Sequence, residues 1–195
     1  VAQHYDQLMD LLRNYQSQKL EAEILKEAFY IGQEREIDLE KLEELGRLIP
    51  NTRINELAVL LLNSPRVNVR LLADLSKTFP TSSPSDIADD MKGIDEDLLV
   101  KLGNHNVTFP GRLSDTASAL VKYPDAKVNL VAELSGQYPG LSVMKLCELD
   151  KHFSSRDKTY LEKIAKICEI FPDASVRLLE SQLKSITEER VQQCI

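Results

Sequence analysis

The 195-residue chain is 43% apolar and 28% charged, and 31 acidic against 24 basic residues leave a net charge of −7. This composition belongs to a folded globular protein, and its negative balance weighs against undirected affinity for nucleic acid or anionic membrane, since both are summed Coulomb attractions. The three cysteines, Cys147, Cys168 and Cys194, include no C-x-x-C pair and fit no secreted disulfide framework, and no apolar run approaches the ~20 residues of a membrane span.

Residues 1–34 carry two apolar helix faces, Leu8, Leu11, Leu12 and Tyr15, then Ile24, Leu25, Ala28 and Phe29. They fit the later pattern poorly and are expected to form an N-terminal helical cap, because terminal units of repeat arrays are atypical. From residue 35 onward one pattern recurs. Counted from Pro65, the residues Val69, Leu72, Ala73, Leu75 and Phe79 stand at +4, +7, +8, +10 and +14, and Pro80 follows at +15. Pro50 brings Ile54, Leu57, Ala58 and Leu60 to the same offsets, Pro124 brings Val128, Val131, Ala132 and Leu134, and Pro139 brings Val143, Leu146, Cys147 and Leu149. Arg35 and Asp95 open units without proline, Pro110 opens a degenerate one, and the remaining starts are Pro80, Ser154 and Pro172. The array is therefore expected over 35–186, with 187–195 as a C-terminal helical tail.

Residues at +4, +7 and +8 share one face of an α-helix. Proline lacks an N–H and keeps the preceding residue out of αR, so each "FP", "YP" or "SP" reads as a stop and restart, with proline at or just before the first turn. Ser83 with Asp86, and Ser154 with Asp157, read as N-caps followed by an acidic third residue. A helix of about ten residues is marginal alone in water and must bury that face on neighbours. The predicted fold is all-α, an α-solenoid of short antiparallel helices with about 15 residues per helix unit and about 30 per helical hairpin, HEAT-like in general character. In helix length and proline punctuation the pattern resembles short-repeat α-solenoids, among them HEAT-like repeats and the helical units of mitochondrial transcription-termination factors.

Chemistry-bearing motifs are sparse. His4, His105 and His152 lack further ligands at metal spacing, and His4 and His152 are expected to face solvent. The cluster from Gly103 to Arg112 reads as a helix-ending turn, Asn106-Val107-Thr108 as a chance glycosylation triplet, and Cys147 and Cys168 as small core residues. No phosphate loop and no nucleophile elbow occurs, so neither catalytic residues nor metal or cofactor sites are nominated.

One ordered polar feature is left. Offsets +3 and +5 place Arg53 and Asn55, Asn68 and Arg70, Lys127 and Asn129, and Arg177 in a basic and amide-bearing row, while Asp74, Glu133 and Glu148 stand at +9. Pairing within or between repeats accounts for such rows, as Arg70 to Asp74 would; alternatively the basic row is a partner-binding surface. The expectation is a non-catalytic, intracellular, cytoplasmic scaffold that binds another protein or peptide along the solenoid, with no membrane association. The alternative is an RNA-binding helical repeat using the basic row. Against it stands the expected burial of Phe79, Phe109, Tyr138 and Phe153, which leaves no rings for base stacking.

Overall fold

The computed structural model describes residues 38–183, so the expected N-terminal cap and C-terminal tail lie outside the described residues. Among the described residues ten helices follow one another, with no strand: α1 (Leu39–Leu48), α2 (Ile54–Asn63), α3 (Val69–Thr78), α4 (Pro84–Met91), α5 (Glu96–Asn104), α6 (Leu113–Lys122), α7 (Val128–Gln137), α8 (Val143–His152), α9 (Lys158–Ile170) and α10 (Val176–Leu183). First helical residues fall at 39, 54, 69 and 84, and again at 113, 128, 143 and 158, so a fifteen-residue spacing recurs in the helices themselves. The units starting at 95 and 110 run out of step: their N-caps are Asp95 and Arg112 rather than the residues at +3.

The turns show what proline does. In seven of them the N–H of the fourth residue donates to the carbonyl of the first at 2.9–3.2 Å, from Thr52 to Ile49, Val67 to Ser64, Ser82 to Phe79, Ala126 to Tyr123, Leu141 to Tyr138, Arg156 to Phe153 and Ala174 to Phe171. Six of these β-turns hold proline in second position, where its fixed φ is favourable and its missing N–H is not needed. The residue before proline leaves the helical region, at φ −123° to −138° and ψ 62° to 74° for Ile49, Ser64, Tyr123, Tyr138 and Phe171. Each of these residues still donates its N–H to the carbonyl four back. These prolines therefore stand in the turn, ahead of the N-cap. Pro84 stands at the first helical position behind Ser83, as expected, and the others stand just before the first turn.

The offset +3 is the N-cap. Side chains of Asp38, Asn68, Ser83, Ser142 and Asp157 there accept the N–H three residues on, from Lys41, Leu71, Asp86, Lys145 and Tyr160, at 2.8–3.2 Å. This corrects the reading of Ser154 as the cap of α9: the turn at Phe153–Arg156 consumes Ser154, and the carboxylate of Asp157 caps the helix instead.

Contacts divide the chain into two compact units. Among the described residues the first comprises 38–77 and 83–93, the second 78–82 and 94–183. In the first, α1 packs on α2 and α2 on α4. Its core is Leu42, Leu45, Leu57, Leu72, Leu75 and Ile87, all essentially without solvent exposure. In the second, α8 is the hub, touching α7 and α9 as sequence neighbours and α6 and α10 as next-but-one neighbours, and α7 also meets α9. Thr78–Ser82 anchors there: Phe109 donates its N–H to the Thr78 carbonyl at 2.7 Å, the Phe79 and Phe109 rings stack at 5.6 Å, and Thr81 Oγ1 donates to the Pro110 carbonyl at 2.9 Å. The +7 residues Leu42, Leu57, Leu72, Ile87, Leu102, Ala117, Val131, Leu146 and Leu161 are buried, as the helix face predicted, while Leu179 of the last repeat is half-buried.

Candidate functional site

The seven residues of the predicted polar row take three structural roles. Asn68 caps α3, while Arg53 and Lys127 occupy the same cap position without a side-chain cap bond. Arg70 of α3 donates Nε to Glu44 of α1 at 3.1 Å, so its partner lies on the next-but-one helix and not at Asp74, which pairs with Lys77. The second unit repeats the arrangement, with Lys158 of α9 bonded to Glu133 of α7, whose carboxylate holds that ammonium above the ordinary lysine range. In each unit an acid at +9 thus faces a base at +4 or +5 on the next-but-one helix. Such exposed pairs are screened by solvent and add little to stability. Asn55 is half-buried, whereas Asn129 and Arg177 are exposed. No hydrogen bond or ion pair joins any two of the seven among the described residues.

Lys127 has further partners. Its backbone N–H donates to Asp150 Oδ2 at 2.8 Å, its Nζ lies 3.6 Å from Asp150 Oδ1, and Nζ reaches the Ser154 carbonyl at 3.4 Å. Asp150 is only 3% exposed, so this aspartate of α8 holds the entry to α7. His152, expected on a solvated face, instead pairs through Nδ1 with Glu180 of α10 at 2.7 Å, with both side chains 20% exposed. His4 lies outside the described residues. Phe79, Phe109 and Phe153 are buried as expected, but Tyr138 is half-buried. Its phenol is pushed up by burial first and then by the Glu162 and Glu169 carboxylates.

Two surface features escaped the sequence. Ile170, Phe171 and Leu178, around the α9–α10 turn, are exposed, Phe171 by 62%. On the rim formed by the turns after α6 and α8, Lys122 and Lys151 both lie over the Tyr123 ring. The signal for the first was the "FP" pair itself, but it is shared with buried Phe79 and so does not single out Phe171. In the first unit a cleft of about 300 Å³ opens between Thr52, Glu56 and Leu60 on one side and Ser83, Pro84 and Ser85 on the other. The Ser83 hydroxyl there is engaged by Asp86, as a capping group. Among the described residues no group of three His, Cys, Asp or Glu is placed to hold a metal ion, and no helix is long and apolar enough to cross a membrane.

Cys147 and Cys168 are free and buried, as their apolar neighbours suggested. Burial, aided by the Asp150 carboxylate, pushes the Cys147 thiol up to about 12, and burial raises Cys168 as well. A folded state that holds the thiol proton more tightly gains stability below the ordinary thiol value of about 8.5 and loses it as pH rises through that value toward the folded one. Thiol reagent at about pH 8 is therefore expected to leave both cysteines unlabelled in the folded protein, and the melting temperature to fall as the pH passes about 9. Peptide mass spectrometry checks the first; labelling at the rate of the unfolded chain would contradict the core placement of both.

Comparison with protein-family models, with curated proteins and with solved structures finds no match.

Proposed function

We propose that the chain is a non-catalytic scaffold, a helical repeat of the α-solenoid type and HEAT-like in general character, that holds a partner protein or peptide along its surface. The repeat reading draws support from the fifteen-residue spacing of helix starts and the packing of alternate helices. The observation that carries the binding role is the exposed trio Ile170, Phe171 and Leu178. Single exposed apolar residues are ordinary, but three large ones between 170 and 178 form the kind of surface that proteins use for contact. Phe171 also stands where Phe79 and Phe153 stand, as the residue opening a turn, and those two rings are buried against Phe109 and Tyr160. A partner that covers Phe171 restores this packing.

The test is capture from cell extract on immobilised protein at physiological salt, with and without nuclease, beside the variant Phe171→Glu. The expected result is a set of polypeptides indifferent to nuclease and lost from the variant, whose circular dichroism matches the parent. Material that disappears with nuclease would support nucleic-acid binding instead, and identical capture by Phe171→Glu would remove the trio from the contact.

A further inference from the structure

Lys122 closes α6 and Lys151 lies one residue before the end of α8, and their ammonium groups stand 5.5 and 5.6 Å from the centroid of the same Tyr123 ring. The turns after α6 and α8 are therefore side by side, which the 3.4 Å approach of Lys127 Nζ to the Ser154 carbonyl shows independently. Arg156 sits in the second of these turns, its guanidinium 5.1 Å from the centre of the Tyr160 ring. Lys122 and Lys151 thus meet over one ring on a rim of the second unit, with Lys127, held by Asp150, and Arg156 in the adjoining turn, in a chain whose net charge is −7. Three carboxylates share the neighbourhood: Asp150 is buried on Lys127, Asp157 caps α9, and Asp125 is exposed. Val121, the residue before Lys122 in the last turn of α6, is 71% exposed.

We propose that this rim docks an acidic segment of a partner protein that carries an apolar side chain for Val121. The inference rests on the scaffold reading and names the chemistry of its partner. Cation–π attraction to the ring holds the two ammonium groups in place, so less side-chain freedom is lost when a carboxylate arrives. Each carboxylate met by a cation gains a charge-assisted hydrogen bond. A phosphodiester strand fits less well. Tyr123 already carries two ammonium groups over its ring, and Asp125 and Asp157 repel a continuous line of phosphates, whereas a peptide spaces its carboxylates and can step past them. Lys122 and Lys151 also offset the negative carbonyl ends of their helices, so a folding control is required.

The experiment is fluorescence anisotropy of the full chain with a labelled peptide of about a dozen residues, glutamates around a central leucine, at low and at physiological salt. Saturable binding that weakens with salt is expected, falling by about tenfold in Lys122→Glu/Lys151→Glu with unchanged circular dichroism. Arg53→Glu, which reverses an exposed cation of the first unit, is expected to bind like the parent. Absence of saturable binding, an equal loss in Arg53→Glu, or tighter binding of a single-stranded RNA of the same length would overturn the assignment. Failure of the acidic peptide while Phe171-dependent capture persists would remove the rim and leave the scaffold reading intact.

Discussion

Leu72→Asp is expected to abolish cooperative folding of the first unit. Leu72 lies in the middle of α3 with no solvent exposure. The substitution removes leucine packing worth about 2–5 kcal/mol and forces a carboxylate to be buried without a partner, or to take up a proton, at a further cost of several kcal/mol. A domain's whole stability is about 5–15 kcal/mol, so the sum exceeds or consumes it. Thermal unfolding followed by circular dichroism should show the transition lost or split. Leu72→Met, which conserves volume, should cost less than about 1.5 kcal/mol. Arg70→Glu, two residues away, breaks only the exposed pair with Glu44 and is worth at most about 1 kcal/mol. A Leu72→Asp protein that melts like the parent would show that the buried face of α3 is misassigned.

Phe79→Ala is expected to cost about 3–5 kcal/mol in the second unit. The Phe79 ring stacks on Phe109 with 15° between planes, and both are fully buried. The Phe109 N–H also donates to the Thr78 carbonyl, and Thr78 Oγ1 approaches the Leu102 carbonyl at 3.5 Å. Removing one ring leaves a cavity. Phe109→Ala should cost a similar amount, and the double variant less than the two together, because the second truncation removes a ring that has already lost its partner. Denaturant unfolding of the three variants measures this; strict additivity would mean that the rings do not act as a pair.

The buried face is legible in the sequence because the same offsets recur in most repeats, and a one-dimensional pattern suffices to say which side of a short helix faces inward. The same pattern does not resolve the turns. Sequence places a stop and a restart, but the β-turn that lies between them, with proline second and a cap three residues after it, is a three-dimensional solution. For that reason Ser154 looks like a cap while Asp157 is the cap. The polar row is visible and its roles are not: an asparagine at +3 reads equally as ligand or cap, and Arg70 has an acidic residue at helical spacing that the fold leaves to Lys77. Its true partner, Glu44, is 26 residues away, on a helix brought alongside by packing, and no local rule encodes that. The Lys122–Tyr123–Lys151 cluster joins two helical repeats about 30 residues apart within the second unit and is hidden for the same reason.

Among the described residues, hydrogen bonds that link helices through side chains are short in sequence. Lys127 to Asp150 spans 23 residues and Lys145 to the Ala174 carbonyl 29, with the other side-chain bonds between helices falling in that range and Phe109 to Thr78 barely beyond it. A chain built from such contacts closes only small loops at each step, so the entropy of chain closure never accumulates ahead of the packing that offsets it. Low contact order of this kind goes with folding in microseconds to milliseconds. During synthesis, each helix meets its neighbours within a few dozen residues of leaving the ribosome, and packing can advance along the nascent chain behind the point of translation.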